Sequence, residues 1–555
     1  MLDPTDPRLP GIAGREPRPG SGAGSCRLGA VYLIAVALAL SALILPKLPP
    51  CSDFPQHLAM TDIAGRLLDP SAPEHGSYVL EPVTFNGLFH LLGAPLSRVV
   101  GTALAGRLLA IVAAAGLALG VPLLLVQLDR PLALAGLFVP FVFGFSLRWG
   151  FVNFALGLAL ALVATLLVVR NLLRPSLLGW LGTALVAQLC AVSHVLAMLC
   201  LCLFASSFVP ELAFRTASRG ASKSRGRVVL ERAAFALSPL LAGCAWCIYV
   251  YVRQYRGSHA LHEASERGET GFDVVERIGG VAHAAVTEGA SPSEQVLSVA
   301  VILVALGLAV FGIARHRWAR RDETPGDVPV AAPLVGPLLV MGGAYLFGPK
   351  AFADAHLIYQ RLLPLFVAGL LVAAPPLEGR ILRLISIISL ALGVLAGGLV
   401  AAATVSFARE TDPLAELIDE LPEGRNATAI IHGAPTQGFG HATLVHAAGH
   451  YASRRRGDLA FSFARYVALP LHFRAGTAPP WPQRGWEFGP ADYDPRCQYA
   501  RRFDLAIVRA PNPEMSEDMV RSLVFKVDAN VPRLLGRRAA FWAFDTKGIA
   551  ESETL

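Results

Sequence analysis

The sequence predicts a mainly α-helical, polytopic membrane bundle with a small α/β domain at its C-terminal end. Three observations predict it. The 555 residues are 54% hydrophobic and only 16% charged, whereas soluble domains are about a quarter charged. Apolar runs of bilayer-crossing length, roughly 17–25 residues, recur from residue 29 to residue 404. Beyond residue 407 the chain turns polar and mixes strand-like with helix-like pieces. The net charge of +7 does not indicate a nucleic-acid partner. The basic residues sit in short loops between apolar runs, where they orient a membrane protein.

Taken in order, residues 1–27 are rich in Pro and Gly and read as a disordered cytoplasmic N-terminus. No small-residue cleavage pattern follows the first apolar run, so it reads as a retained helix. The membrane module, 28–407, carries about eleven expected spans: 29–46, 101–126, 131–147, 151–169, 176–192, 195–213, 233–252, 295–313, 330–347, 360–376 and 380–404. The loops 215–232 and 315–321 are strongly basic, whereas 254–293 is rich in Glu and Asp. Basic loops stay in the cytoplasm. With both of them inside, alternation places the N-terminus inside and the first loop, 47–100, outside. The C-terminal domain, 408–555, is then extracytoplasmic. The chain reads as an integral protein of a bacterial inner (plasma) membrane. In its C-terminal domain "ATAIIHG", "LAFSFARY" and "FDLAIVRA" alternate like strands. Between them "ATLVHAAGHYASRR" and "EMSEDMVRSLV" look helical.

Eight cysteines show no metal-ligand spacing. Cys244 and Cys247 lie in an apolar run and read as small packing residues. Cys51 and Cys497 both fall outside the membrane, where disulfides persist, so a Cys51–Cys497 bridge is an expectation.

Sorting polar residues by membrane side gathers several at the outer ends of helices. The first loop holds Asp53, His57, His75, Glu81 and His90. Arg148, Trp149 and Asn153 lie between two spans, and Ser193 and His194 between the next two. Lys350, Asp354, His356, Tyr359 and Arg361 form a fourth group. Ionisable groups at membrane depth are costly and usually serve a site, so four such junctions predict an outward-opening cavity. Each residue also has a plainer reading. Asp53 with Gln56 three positions on matches a helix capping box. His194 fits a buried, hydrogen-bonded core histidine, and Trp149 an interfacial anchor. Arg361 is either a snorkelling cation or a fork for phosphate. His441, His446 and His450 read as solvated, with the i, i+4 pair His446/His450 as a zinc alternative.

This layout resembles the GT-C superfamily of integral-membrane glycosyltransferases, bacterial relatives of the dolichyl-phosphate-mannose mannosyltransferases. The residues that carry the resemblance are "DFPQHLA" after the first span, "RWGFVNFALGLAL", "SHVLAML" and the Arg361 that opens a late span. The resemblance implies interfacial helices in the first loop, near 57–68 and within 85–101. It implies Asp53 as catalytic base. It implies transfer of a sugar from a polyprenyl-phosphate donor to a hydroxyl of a glycan, lipid or protein acceptor, among membrane lipids. His57, Arg148, Asn153, His194, Lys350, Asp354, His356, Tyr359 and Arg361 are the substrate-binding expectations. Of these, Arg361, Lys350 and Arg148 are the cations for the leaving phosphate. Family members often carry a second acid beside the first. Here the first loop has no D-x-D, Asp62 and Glu81 are the nearest substitutes, and dependence on a divalent metal ion stays open. No Gly-rich phosphate loop is present, which argues against a nucleotide-sugar donor. Two other classes share these features. One is a lipid-diphosphate oligosaccharide ligase. The other is a non-enzymatic transporter, assembly subunit or pseudoenzyme. A transporter predicts matching halves and helices broken at the midplane, whereas the charges here cluster at one face.

Overall fold

The computed structural model describes residues 22–212, 225–255, 274–284, 292–322, 334–351, 357–479, 485–495, 497, 499–526 and 532–547. It is mainly helical. The helices are α1 (Gly22–Ile44), α2 (Phe54–Arg66), α3 (Leu88–Val100), α4 (Thr102–Gln127), α5 (Phe145–Arg148), α6 (Val152–Leu173), α7 (Leu177–Ser193) and α8 (Val195–Ser206). They continue with α9 (Arg225–Leu237), α10 (Leu240–Tyr255), α11 (Val274–Ala284), α12 (Pro292–Asp322), α13 (Val335–Phe347) and α14 (Ile358–Arg361). The last four are α15 (Leu363–Ala373), α16 (Gly379–Glu420), α17 (Ala447–Arg455) and α18 (Glu517–Phe525).

Among the described residues six stretches are long and apolar enough to cross a membrane: Arg27–Ile44, Thr102–Gln127, Val152–Leu173, Val195–Leu212, Glu294–His316 and Gly379–Glu420. The pair Gly226–Leu237 and Leu240–Gln254, meeting at a 51° bend, makes a seventh if it is one broken span. Leu181, Leu185, Leu303 and Ile387 project from the bundle as exposed apolar side chains. The remaining expected spans are shorter. Residues 131–147 form a 3₁₀ segment, Leu132–Phe141, followed by α5. Pro131 and Pro140 withhold donors that an α-helix there would use. The segment is apolar because it is buried against α16: a Cβ on Gly136 would sit 2.4 Å from the Ser389 carbonyl oxygen. The basic stretch 315–321 is not a loop but the last turns of α12. The N-terminal helix starts at Gly22, inside the segment expected to be disordered.

The expected boundary at 407/408 falls inside α16, a continuous helix of 42 residues, roughly 60 Å long at 1.5 Å per residue. That is about twice a bilayer's hydrocarbon core. Its far end packs Leu414, Leu417 and Ile418 under a four-stranded sheet. The sheet order is β2 (Ala427–Ile431), β4 (Leu505–Arg509), β6 (Phe541–Asp545), β5 (Arg533–Arg538). The β2–β4 pair is parallel and the other two pairs are antiparallel. A second cluster, with Trp486, Tyr493, Phe525 and Trp542, also packs on the sheet. The stretch "LAFSFARY", expected as a strand, makes only a bridge at Leu459 and a 3₁₀ turn at Phe463–Arg465. Its backbone is satisfied from the first loop instead. Gln56 Nε2 donates to the Phe461 carbonyl at 2.6 Å, and Phe463 N–H donates to Gln56 Oε1 at 3.4 Å.

Further bonds lock the C-terminal domain to the first loop. A two-stranded antiparallel sheet joins β1 (Tyr78–Leu80) to β3 (Leu471–Phe473). Tyr78 donates its hydroxyl to Asp458 at 2.6 Å, and Thr84 to the Ala468 carbonyl at 2.7 Å. Met60 and Ile63 of α2 and Leu67 just after it pack with Tyr78, Leu469 and Leu471. Cys51 and Cys497 do not bridge; both are free thiols. Cys51 is buried in the core of the helical bundle and Cys497 packs in the separate cluster on the sheet.

Candidate functional site

Asp53 stands at the start of α2, but it does not cap it. Its backbone is helical, at φ −85° and ψ −10°, and its side chain makes no cap bond; capping needs an extended residue there. The backbone is held from the other side. Ser52 N–H donates to the Arg148 carbonyl at 2.9 Å and Asp53 N–H to the Trp149 carbonyl at 3.0 Å. That approach requires Gly150, whose φ is +79° and whose added Cβ would lie 2.7 Å from Asp53 N. His441 Nε2–H donates to the Pro50 carbonyl at 3.2 Å and fixes the preceding turn.

The Asp53 carboxylate instead meets the C-terminal domain. Its Oδ1 lies 3.3 Å from His446 Nε2, and His446 Nδ1 lies 2.6 Å from Glu487 Oε1. All three side chains are largely buried. Helix α17 brings His446 in because Gly449 lets it touch α2: a Cβ there would sit 2.6 Å from the Pro55 carbonyl carbon. A Gly449→Val protein is therefore expected to lose stability. Overpacking of this kind costs about 1–3 kcal/mol, read as a lower midpoint of thermal unfolding in detergent.

These residues line a cavity of about 760 Å³. His57, Asn153, His194 and Arg361 share it with Asp53, His446 and Glu487. Burial lowers the His57 pKa to about 4 despite the nearby Asp53, so its ring is neutral near neutral pH. Its Nδ1 lies 3.1 Å from His90 Nε2, and His90 Nδ1 lies 3.1 Å from Thr61 Oγ1, a relay leading away from the cavity. Asn153 Oδ1 accepts from Phe89 N–H at 2.9 Å, while its buried Nδ2 has no hydrogen-bond partner among the described residues. His194 Nδ1 accepts from Leu196 N–H at 3.1 Å, capping α8. In the neutral ring the proton is then on Nε2, leaving a donor. The Arg361 guanidinium lies 3.6 Å from the centre of the Phe151 ring, an orientation favoured by cation–π attraction.

For His446 burial works against protonation, but the Glu487 and Asp53 carboxylates overcome it and push its pKa up to about 10. Burial raises the Glu487 pKa while His446 pulls it down. A ring nitrogen at 2.6 Å favours the imidazolium–carboxylate form of that pair.

Other expected residues lie elsewhere. Arg148 is fully buried beneath the turn, beside His441, and does not line the cavity. Lys350 pairs with Glu276 at 2.6 Å. Tyr359 packs on Tyr345, with Arg277 over its ring, outside the cavity lining. Asp354 and His356 lie outside the described residues. Glu81 pairs with Arg253, and Asp62 with Arg66, so neither is a second acid for Asp53. The acid that reaches Asp53, through His446, is Glu487, and sequence reasoning missed it; its signal was a carboxylate between Trp486 and Phe488. Trp149 lines the cavity stacked on Phe151, rather than anchoring at an interface. His441, His446 and His450 are buried, not solvated. Among the described residues no three His, Cys, Asp or Glu side chains are arranged to hold a metal ion. Both nitrogens of His446 are already engaged by carboxylates.

The fold and the cavity together define a mainly helical protein with segments long and apolar enough to cross a membrane and a pocket of acids, histidines and an arginine closed by a C-terminal α/β domain. Neither protein-family models nor curated proteins show a match to the chain.

Proposed function

We propose that the protein is an integral-membrane glycosyltransferase of the GT-C type, moving a sugar from a polyprenyl-phosphate donor to an acceptor hydroxyl. The observation that carries the reading is that a carboxylate, Asp53, and a buried guanidinium, Arg361, line one cavity. Asp53 is the general base. The acceptor O–H bond breaks, its proton passes to Asp53, and the acceptor oxygen bonds to the anomeric carbon. The bond from that carbon to the phosphate oxygen breaks, and the electron pair leaves with polyprenyl phosphate. Arg361, with the His194 Nε2–H and Asn153 Nδ2 donors, neutralises the charge that develops there.

Two features support a lipid monophosphate. Val195, Leu199 and Tyr251 line the cavity and are yet 39%, 53% and 49% exposed, so the pocket opens sideways between α8 and α10. Among the described lining residues Arg361 is the one Lys or Arg, which suits a phosphodiester better than the larger charge of a diphosphate. The basic stretches 215–232 and 315–321 favour an N-terminus in the cytoplasm and the pocket on the outer face of a bacterial inner membrane.

The test is reconstitution into liposomes with a panel of polyprenyl-monophosphate and -diphosphate sugars and mixed glycan acceptors. Acceptor-dependent release of polyprenyl phosphate is the expected result. Release of polyprenyl diphosphate alone points to the ligase reading. No turnover, with no donor bound, points to a non-enzymatic subunit.

A further inference from the structure

The two contacts of His446 carry a proton-counting constraint. A ring nitrogen facing a carboxylate at 2.6 or 3.3 Å attracts it only with a proton between them. A neutral imidazole supplies one such proton; two contacts need two. Unless one of the acids is neutral, the ring is an imidazolium. The neighbouring charges are compatible with this. Glu487 pairs with His446 while Asp53 opposes its ionisation, and Asp53 is also felt by Arg361 and by His57. His57 lies close enough to His446 to oppose a second charge and is itself neutral. His194, further round the cavity, is disfavoured as a cation by burial and then by Arg361 and His57. Among the described residues, Asp53 and Glu487 are the acids that act on His446.

We propose that His446 and Glu487 are positioning residues, an imidazolium–carboxylate pair lent by the C-terminal domain that holds the Asp53 carboxylate in place and aims it. With Oδ1 bound to the imidazolium, Oδ2 is the oxygen left to take the acceptor's proton. The role explains three things at once: why Asp53 does not cap its helix, why α17 needs glycine where it crosses α2, and why an acid is buried between Trp486 and Phe488. It makes the C-terminal domain part of the site rather than an appendage. The inference rests on Asp53 being the base, but its test does not require turnover.

The test is histidine C2–H exchange, followed by mass spectrometry of the full-length protein in detergent across a pH series. In the wild type the His446 exchange midpoint is expected well above the ordinary histidine value, and His441 should stay neutral throughout. In Glu487→Gln the His446 midpoint falls by about one unit or more, since a unit is what one strong charge interaction moves. Glu487→Asp recovers part of the shift, and Asp53→Asn lowers the midpoint as well. His441 monitors folding, because an unfolded variant shows it titrating in the ordinary range. A wild-type His446 midpoint at or below the ordinary value overturns the proposal whatever the variants do. So does a midpoint that Glu487→Gln leaves unchanged in a folded protein. Failure here with turnover intact removes the pair, not the glycosyltransferase reading; the reverse outcome removes that reading and leaves the pair.

Discussion

Asp53→Asn is expected to lower the rate of sugar transfer by roughly 10²–10⁴-fold, the usual contribution of a positioned general base. Asparagine keeps the shape and can still accept the hydrogen bond from His446, but it cannot take a proton. The folded state loses the attraction between the Asp53 carboxylate and the His446 imidazolium, so the variant should unfold at a somewhat lower temperature. The carboxylate makes no cap bond to α2, so the cost of about 1 kcal/mol that follows loss of a capping side chain does not apply. The readout is the initial rate of polyprenyl-phosphate release at saturating donor, beside the amount of folded protein recovered from membranes. Full activity in Asp53→Asn would sink the assignment of the base. Asp53→Glu should remain impaired, because one added methylene displaces the oxygens from both His446 and the reacting hydroxyl, and misplacement of about 1 Å can cost 10²-fold.

Much of the helical framework was legible because burial in lipid and burial in protein both demand apolar residues over a known length. The long segments, such as 151–169 against Val152–Leu173, were read to within a few residues at their start. The same logic overreached at 131–147, where hydropathy sees an apolar run but not the prolines and close packing on α16 that make it a short, buried 3₁₀ segment. On the site, Asp53, His57, Asn153, His194 and Arg361 could be found because sorting by membrane face puts them together before any distance is known. Glu487 could not, and His446 was seen only as one of three histidines. Both reach Asp53 through contacts between residues some 400 positions apart, as in the pairing of Tyr78 with Phe473 and the bonds of Gln56 to Phe461 and Phe463. No local period encodes such contacts. Gln56 shows the difficulty in one residue: beside Asp53 it looks like half of a capping box, yet it is the clasp for the C-terminal domain.

Arg361 gives the second large effect, and it separates a functional cation from a structural one. Replacing it by methionine is expected to lower the catalytic rate by about 10²–10³-fold, the usual loss when one donor to a developing oxyanion is removed. Arg361→Lys should recover only part of this. Lysine keeps the charge but has neither the planar fork that matches phosphate nor the face that stacks on Phe151. Stability changes for a separate reason. Removing one member of a buried charge interaction destabilises, and Asp53 acts on Arg361 while the Phe151 ring lies against it, so Arg361→Met should unfold at a lower temperature. A rate that falls far more than the folded fraction identifies a charge retained for chemistry. If Arg361→Met instead keeps the full rate and only unfolds earlier, the guanidinium serves to hold α14 against the Phe151 ring, and the leaving phosphate needs another cation.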